Sequence, residues 1–233
     1  LPYAGLLLKR LMKRGKFNRV VFSAFGVREG AVFDRLPEGV RAVDPLLAGA
    51  EAVARPAAPS PGFGRAMAGW LEPVFAQRDT VFANRSPLVR AAAARLCDVG
   101  ARHHPDHRAA LARELALYAP FAGVAHAERA YMGLVLHHRY DGKRPPADAR
   151  VFEHLLDEES RQWAMAYGLG LRFGAALSGR ADALLNRFSL SADEKYLILS
   201  APEGDADLVV ERARYRFDQL AESLEREPVV KSL

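Results

Sequence analysis

The stretch RLCDVGARHHPDHRAALARE, residues 95–114, decides which fold and which site chemistry the sequence predicts. Asp98, His103, His104, Asp106 and His107 lie within ten residues of one another. Imidazoles and carboxylates in such a cluster hold a metal ion and hydrolyse phosphate esters when further ligands converge on them. The same pattern also fits a solvated loop between two helices. The rest of the chain decides between these interpretations.

A metal-dependent phosphohydrolase of the HD type, named for its His-Asp pair, takes ligands from several helices. Cys97 stands directly before Asp98, where the histidine of the pair is expected, and no histidine precedes His103. Pro105 interrupts the helical spacing that would place His103 and His107 on one face. We therefore expect no metal in the cluster.

The carboxylates of the cluster also have structural interpretations. Asp98 is predicted to accept hydrogen bonds at a helix end, and Asp106 to cap a helix that begins near His107. Cys97 is predicted to be a buried core thiol, because no catalytic partner accompanies it. The acidic run 157–159 is predicted to be a solvated helix face.

Composition narrows the class of protein. The 233 residues include 33 Lys and Arg against 28 Asp and Glu, a formal charge of +5. This excess is too mild for a strong DNA binder, and it fits either a polyanionic ligand or simple solubility. No apolar run is long enough for a transmembrane helix. The single cysteine fits a reducing cytoplasm, and the lack of an initiator Met indicates a fragment or a processed product.

The first third of the chain has an α/β pattern followed by a linker. Apolar residues at helical spacing over 6–12 predict a helix that Gly15 ends, and FNRVVFSAFG, residues 17–26, predicts a buried strand. VREGAVFDRL then predicts a short helix. We assign residues 1–36 to an incomplete α/β domain, and the Pro-, Gly- and Ala-rich residues 37–64 to a linker with one short helix near Asp44.

The pattern from residue 65 onward is almost entirely helical, and residues 65–180 are assigned to one helical domain. Helices are predicted over Arg65–Gln77, Pro87–Val99, Pro105–Tyr118, Ala125–Tyr140 and Asp148–Leu177. Three glycines in the last of these predict close contact with neighbouring helices, namely Gly168, Gly170 and Gly174.

The final residues, 181–233, are assigned to a small α+β module. RFSL and KYLIL, separated by SADE, predict a β-hairpin. Residues 206–227 then predict an amphipathic helix that closes the chain. The fold class is therefore mainly α, with an α/β fragment before the helical domain and a β-hairpin–helix module after it.

Four segments, taken in order, resemble one protein family. VVFSAFGVREGAVFD (20–34) is similar to a G-x-R-E-G segment of the exopolyphosphatase and guanosine pentaphosphate phosphohydrolase (Ppx/GppA) family. LCDVGARHHPDHR (96–108) resembles the degenerate HD-like segment of its C-terminal helical region. LVLHHRYDGK (134–143) resembles the next helix end, and LGLRFGAALSG (169–179) the long helix that follows.

The resemblance implies an architecture and a division of labour. Residues 1–36 would be the end of the second of two actin-like domains, and residues 65–180 an HD-like domain without metal chemistry. Hydrolysis of polyphosphate or guanosine pentaphosphate (pppGpp) would be catalysed by a preceding half. That half carries a Gly/Ser-rich phosphate loop, a catalytic Glu and Mg²⁺. None of its motifs occurs here, so no catalytic residue is assigned and this chain alone is expected to be inactive.

The resemblance also implies polyphosphate binding and homodimer contacts in this region, in a cytoplasmic protein. The candidate polyphosphate-binding residues are Arg28, His103, His104, His107, Arg108, His138, Arg139 and Lys143. Apart from Arg28, their residue types on their own favour a solvated loop edge over an anion site. Arg28 would lie at a domain junction and pair either with phosphate or with a hinge carboxylate.

Two other functions compete with this one. The first is an autonomous metal-dependent HD-type nucleotide phosphohydrolase, which the missing upstream histidine and Cys97 disfavour. The second is a non-enzymatic regulatory or interaction module, which the ordered set of matching segments disfavours.

Overall fold

The computed structural model describes residues 2–58, 60–76, 80–205 and 209–232. The chain divides into two compact units, Leu1–Val43 and Asp44–Leu233. Helices dominate both units, and a small three-stranded sheet lies near the C-terminus, which confirms the predicted fold class. Within these ranges, none of the helices combines the length and apolar character that a membrane span requires.

Over residues 2–43, the first unit contains three helices: α1 (Pro2–Gly15), α2 (Val27–Phe33) and α3 (Glu38–Arg41). The predicted buried strand over 17–26 is wrong, because this segment is irregular and exposed and pairs with no strand in the part of the chain that the structure describes. A strand needs a neighbour for its backbone hydrogen bonds, and the described part of this unit contains no other strand. At the start of α2, the backbone N–H of Gly26 donates to the carboxylate of Glu29 (2.7 Å), which caps the helix.

In the described residues of the second unit, eight helices precede the sheet. They are α4 (Pro45–Ala54), α5 (Phe63–Phe75), α6 (Ser86–Arg95), α7 (Pro105–Tyr118), α8 (His126–Asp141), α9 (Ala149–Leu155), α10 (Glu158–Leu177) and α11 (Asp182–Leu185), with a 3-10 turn at Ala83–Arg85. The helix near Asp44 is α4, and Leu46, Ala50 and Ala54 on it are buried in the core of this unit. The predicted helix end at Gln77 lies outside the described residues.

Helix α10 packs against α5, α8 and the C-terminal helix α12 (Glu211–Ser223), and its glycines allow α5 and α8 to approach closely. A Cβ added to Gly168 would lie 2.5 Å from the Val135 carbonyl oxygen of α8, and one on Gly174 would lie 2.6 Å from the Met67 sulfur of α5. Gly170 likewise faces Leu71 of α5. The prediction of close helix contact at these three glycines is confirmed.

The single long helix predicted over Asp148–Leu177 is wrong, because the chain breaks into α9 and α10 at Leu156. Asp157 is the N-cap of α10, and its carboxylate accepts a hydrogen bond from the Ser160 backbone N–H (2.8 Å). Glu158 and Glu159 lie in the first turn, where negative charge stabilises a helix. The acidic run is therefore a helix start, as well as a solvated face.

The C-terminal module pairs β1 (Ser189–Ala192) antiparallel with β2 (Tyr196–Ala201), which confirms the hairpin. Helix α12 (Glu211–Ser223) follows, shorter than predicted, and residues 206–208 lie outside the described ranges. A strand that was not predicted, β3 (Glu227–Ser232), then pairs parallel with β2. The indole N–H of Trp70 donates to the Phe188 carbonyl (3.0 Å), which ties the module to α5.

Substitution of Gly168 by Ala tests the contact between α8 and α10. We expect Gly168→Ala to lower the free energy of unfolding by about 1–3 kcal/mol, because the added methyl overlaps backbone that cannot move cheaply. Gly69→Ala on α5 is the matched control. A methyl there meets nothing within 4 Å, so this exposed helical position should gain about 0.5–1 kcal/mol. Urea unfolding of both variants measures the difference, and equal stabilities would contradict the assignment.

Candidate anion-binding site

The His-Asp cluster does not assemble a metal centre. Asp98 is buried, and its Oδ1 lies 3.4 Å from an Nη atom of Arg139, which is also buried. A guanidinium beside the carboxylate repels a cation, so the donor set does not fit a metal. Among the residues that the structure describes, no three His, Cys, Asp or Glu side chains come together as ligands.

Cys97 is a buried free thiol, as predicted, and burial raises its pKa. Tyr140 connects this segment to α8: its hydroxyl donates to the Cys97 carbonyl (2.8 Å) and accepts from the Gly100 backbone N–H (3.0 Å). Asp98 is therefore one half of a buried ion pair in a loop held by Tyr140, which the helix-end interpretation did not include.

His103, His104 and His107 are exposed at the start of α7. Helix α7 begins at Pro105, and its N-cap is His104, whose Nδ1 accepts from the Asp106 backbone N–H (3.4 Å). The prediction that Asp106 caps this helix is therefore wrong. Asp106 lies in the first turn instead, where its charge favours the helix.

His138 and Lys143 do not supply free positive charge. His138 is buried, its Nδ1 donates to the Gly142 carbonyl (2.5 Å), and burial lowers its pKa to about 4. It is therefore neutral at pH 7, which corrects its assignment as a cationic phosphate ligand. The ammonium group of Lys143 lies 2.6 Å from the Glu222 carboxylate. Both residues line a cavity of about 270 Å³ beside α9 and α10.

A different cavity, of about 550 Å³, concentrates positive charge. Its size falls in the roughly 300–1,000 Å³ range of ligand sites in proteins. Six arginines line it, together with Ala101, Pro105, Tyr140, Ala175, Ala176 and Gly179: they are Arg108, Arg139, Arg172, Arg180, Arg212 and Arg216. None of the described residues that line it carries a carboxylate. We call it the arginine cavity.

Four helices and one turn position these arginines. Arg108 is on α7, Arg139 on α8 and Arg172 on α10. Arg212 and Arg216 are four residues apart on α12 and so share a face. On α10, Ala175 and Ala176 follow Arg172 at a spacing of three and four residues, and their small side chains leave the volume of the cavity open.

Hydrogen bonds to backbone carbonyls orient several of the guanidinium groups. Arg108 donates through Nε to the His103 carbonyl (2.7 Å), and Arg216 donates to the Arg172 carbonyl (3.3 Å). Arg172 donates to the Tyr140 carbonyl, while its buried Nε has no hydrogen-bond partner in the described part of the chain. These groups are therefore fixed by neutral acceptors rather than by carboxylates.

Mutual repulsion is visible in the pKa values of the arginine cavity. Burial and the nearby charges of Arg172, Arg212 and Arg139 lower the pKa of Arg216 to about 10. Burial and the charge of Arg139 also lower the pKa of Arg172. Like charges gathered with few counter-charges are an anion-binding arrangement, because a bound polyanion removes the repulsion.

The turn after α10 has an unusual backbone. Gly179 and Arg180 both have positive φ, +58° and +70°. This conformation is uncommon for arginine and costs on the order of 1–3 kcal/mol at a non-glycine residue. The Ser178 hydroxyl stabilises the turn by accepting from the Arg180 backbone N–H (3.2 Å), which carries Arg180 to the wall of the arginine cavity.

Two of the eight predicted residues, Arg108 and Arg139, line this cavity. Arg28 is exposed on α2 in the first unit and stays a prediction. The sequence analysis missed Arg172, Arg180, Arg212 and Arg216. Arg212 and Arg216 could have been found as an arginine pair four residues apart on an amphipathic helix. No local sequence pattern indicates that this helix lies beside α8.

Comparison with protein-family models matches residues 46–227 to the family described as exopolyphosphatase, C-terminal. The match extends from α4 to the start of β3 and includes every residue that lines the arginine cavity. Comparison with curated proteins gives no match.

The burial of His138 predicts that the folded protein loses stability in acid. Its pKa lies below the usual value of 6.5 in the folded state, so the unfolded chain binds a proton first as the pH falls. The stability that depends on a neutral His138 is complete above pH 6.5 and is lost as the pH falls toward 4. It amounts to roughly 3 kcal/mol of unfolding free energy. Urea unfolding at pH 7 and pH 4.5 should show a smaller loss for His138→Gln than for wild type. His107→Gln, an exposed control, should keep the full loss, and identical pH dependence in all three proteins would contradict the prediction.

Proposed function

The chain belongs to the exopolyphosphatase C-terminal family, and on that premise we propose that its arginine cavity binds the phosphoanhydride chain of polyphosphate or guanosine pentaphosphate. The planar guanidinium fork matches two phosphate oxygens at once, so several arginines suit a chain of successive phosphoryl groups. The observation that carries the proposal is the convergence of six arginines, from five separate segments, on one cavity that is lined by no carboxylate within the described ranges of the chain.

Binding, rather than hydrolysis, is the role proposed for this part of the protein. Hydrolysis of a phosphoanhydride needs backbone N–H donors around the phosphates, a metal on them, and a carboxylate that orients water. The arginine cavity offers positive charge and no carboxylate at its wall. We therefore propose that catalysis, with Mg²⁺, belongs to actin-like domains outside this chain. The homodimer and the cytoplasmic location implied by the resemblance stay predictions.

The position of Asp98 bears on one of the two competing functions, and a binding experiment tests the other. An autonomous HD-type metal hydrolase would need Asp98 as a metal ligand, but this carboxylate faces Arg139. A non-enzymatic interaction module would bind no polyphosphate at the arginine cavity, so the binding experiment below separates it from the proposal.

Substitutions on α12 test the site of binding. We expect Arg212→Gln and Arg216→Gln each to weaken the binding of tripolyphosphate about tenfold, because each removes one charge-assisted contact. Arg214→Gln is the matched control: it removes the same charge from the same helix, but Arg214 is exposed and does not line the cavity. Isothermal titration calorimetry at two ionic strengths measures the affinities.

Salt dependence adds a second criterion to that experiment. Binding should weaken steeply with salt, and the slope of log K against log salt should fall by roughly one for each cavity arginine removed. Guanosine pentaphosphate in place of tripolyphosphate shows which anion the cavity prefers. Equal losses in Arg214→Gln and Arg216→Gln would place binding on the general surface and contradict the proposal.

Catalysis by this chain alone is a separate prediction. We expect no phosphate release above the uncatalysed rate from long polyphosphate with Mg²⁺, because the described residues that line the arginine cavity include no carboxylate that could orient water. A malachite-green assay of the purified chain measures it, with a full-length family member as positive control. Turnover that disappears in Asp98→Ala would reinstate the metal-dependent HD hydrolase.

A further inference from the structure

One carboxylate lies directly behind the arginine cavity. Asp98 does not line the cavity, but its Oδ1 is 3.4 Å from Arg139, which does. The side chains are 4% and 9% exposed, so the pair is almost fully withdrawn from solvent. We propose that Asp98 is the resident counter-ion of the arginine cavity, which holds Arg139 in place when the cavity is empty and competes with the bound anion when it is full. This role rests on the proposed function.

The charge balance supports this role. Arg139 contributes to lowering the pKa of both Arg172 and Arg216, so it lies close enough to repel them. Asp98 interacts with Arg139 and also with Arg180, a second residue of the cavity wall. Removing one partner of a buried ion pair leaves an uncompensated charge, which is strongly destabilising. An empty cavity therefore depends on Asp98 for its assembly.

The hydrogen bonding of the pair is incomplete. Only one oxygen of Asp98 bonds Arg139, and neither the buried Asp98 Oδ2 nor the buried Arg139 Nε has a hydrogen-bond partner among the residues that the structure describes. A structural salt bridge between arginine and carboxylate is commonly bidentate. The monodentate arrangement leaves donor capacity on Arg139, next to the cavity for which anion binding is proposed.

Asp98 acts through Arg139, so it is a positioning residue that touches no ligand, and its loss should move two quantities in opposite directions. Asp98→Asn should lower the melting temperature of the empty protein on the order of 10 °C. It should also tighten tripolyphosphate binding on the order of tenfold, because the anion no longer competes with a carboxylate. A side chain that only supports the fold would weaken both.

Asp148→Asn is the matched control. Asp148 pairs with Arg113 (3.1 Å), whose side chain is 9% exposed, the same as that of Arg139, but Asp148 itself is 43% exposed, so its neutralisation should cost less stability than that of Asp98. Neither Asp148 nor Arg113 lines the arginine cavity. This variant should lose stability but keep the wild-type affinity for tripolyphosphate. The measurements are melting curves without ligand and calorimetric titrations with tripolyphosphate at fixed ionic strength.

The outcomes separate the two ideas. Binding to wild type with equal or weaker binding to Asp98→Asn would overturn the counter-ion role and leave the proposed function standing. No binding to wild type would overturn the proposed function and the counter-ion role together. Should Asp98→Asn not fold alone, it is combined with Arg139→Gln. A folded double variant that binds like Arg139→Gln supports the role, and an unfolded double variant overturns it.

Discussion

The contact between α8 and α10 at Gly168 is the constraint on which the rest of the second unit depends. The backbones approach so closely there that an added Cβ would overlap the Val135 carbonyl. This approach sets the register of the two helices, and with it the positions of Arg139 and Arg172 at the same cavity. Helix α12 then packs on α10 and adds Arg212 and Arg216. A single glycine contact thus determines where four of the six charges converge.

The apolar core holds together charges that would separate in solution. Phe173 of α10 stacks on Phe217 of α12 with ring centroids 5.0 Å apart, one residue along each helix from Arg172 and Arg216. Burial of such aromatic side chains contributes several kcal/mol, which offsets the repulsion between neighbouring guanidinium groups. Binding sites commonly contain unfavourable electrostatic interactions, and packing elsewhere in the protein compensates for them.

The sequence around Cys97 and Asp98 first suggested a metal site, but in the structure its electrostatics suit an anion. In a metal centre, the carboxylate would attract a cation from solvent. Here Arg139 supplies that positive charge from within the protein, and Tyr140 fixes the loop through the Cys97 carbonyl and the Gly100 N–H. Arg139 takes the place that a bound cation would have beside Asp98. Its other N–H groups are donors that suit an anion, which agrees with the proposed function.

The sequence by itself determined the helices α5, α7 and α8, the hairpin and the close contacts of the α10 glycines, because periodicity, caps and glycine spacing are local properties. It also identified Arg108 and Arg139. Tertiary structure alone decided that residues 17–26 form no strand and that β3 exists, since both depend on whether a partner strand is present. The arginine cavity belongs to the same class of feature. Its charges come from residues 108 to 216, and only packing of α7, α8, α10 and α12 brings them within reach of one ligand.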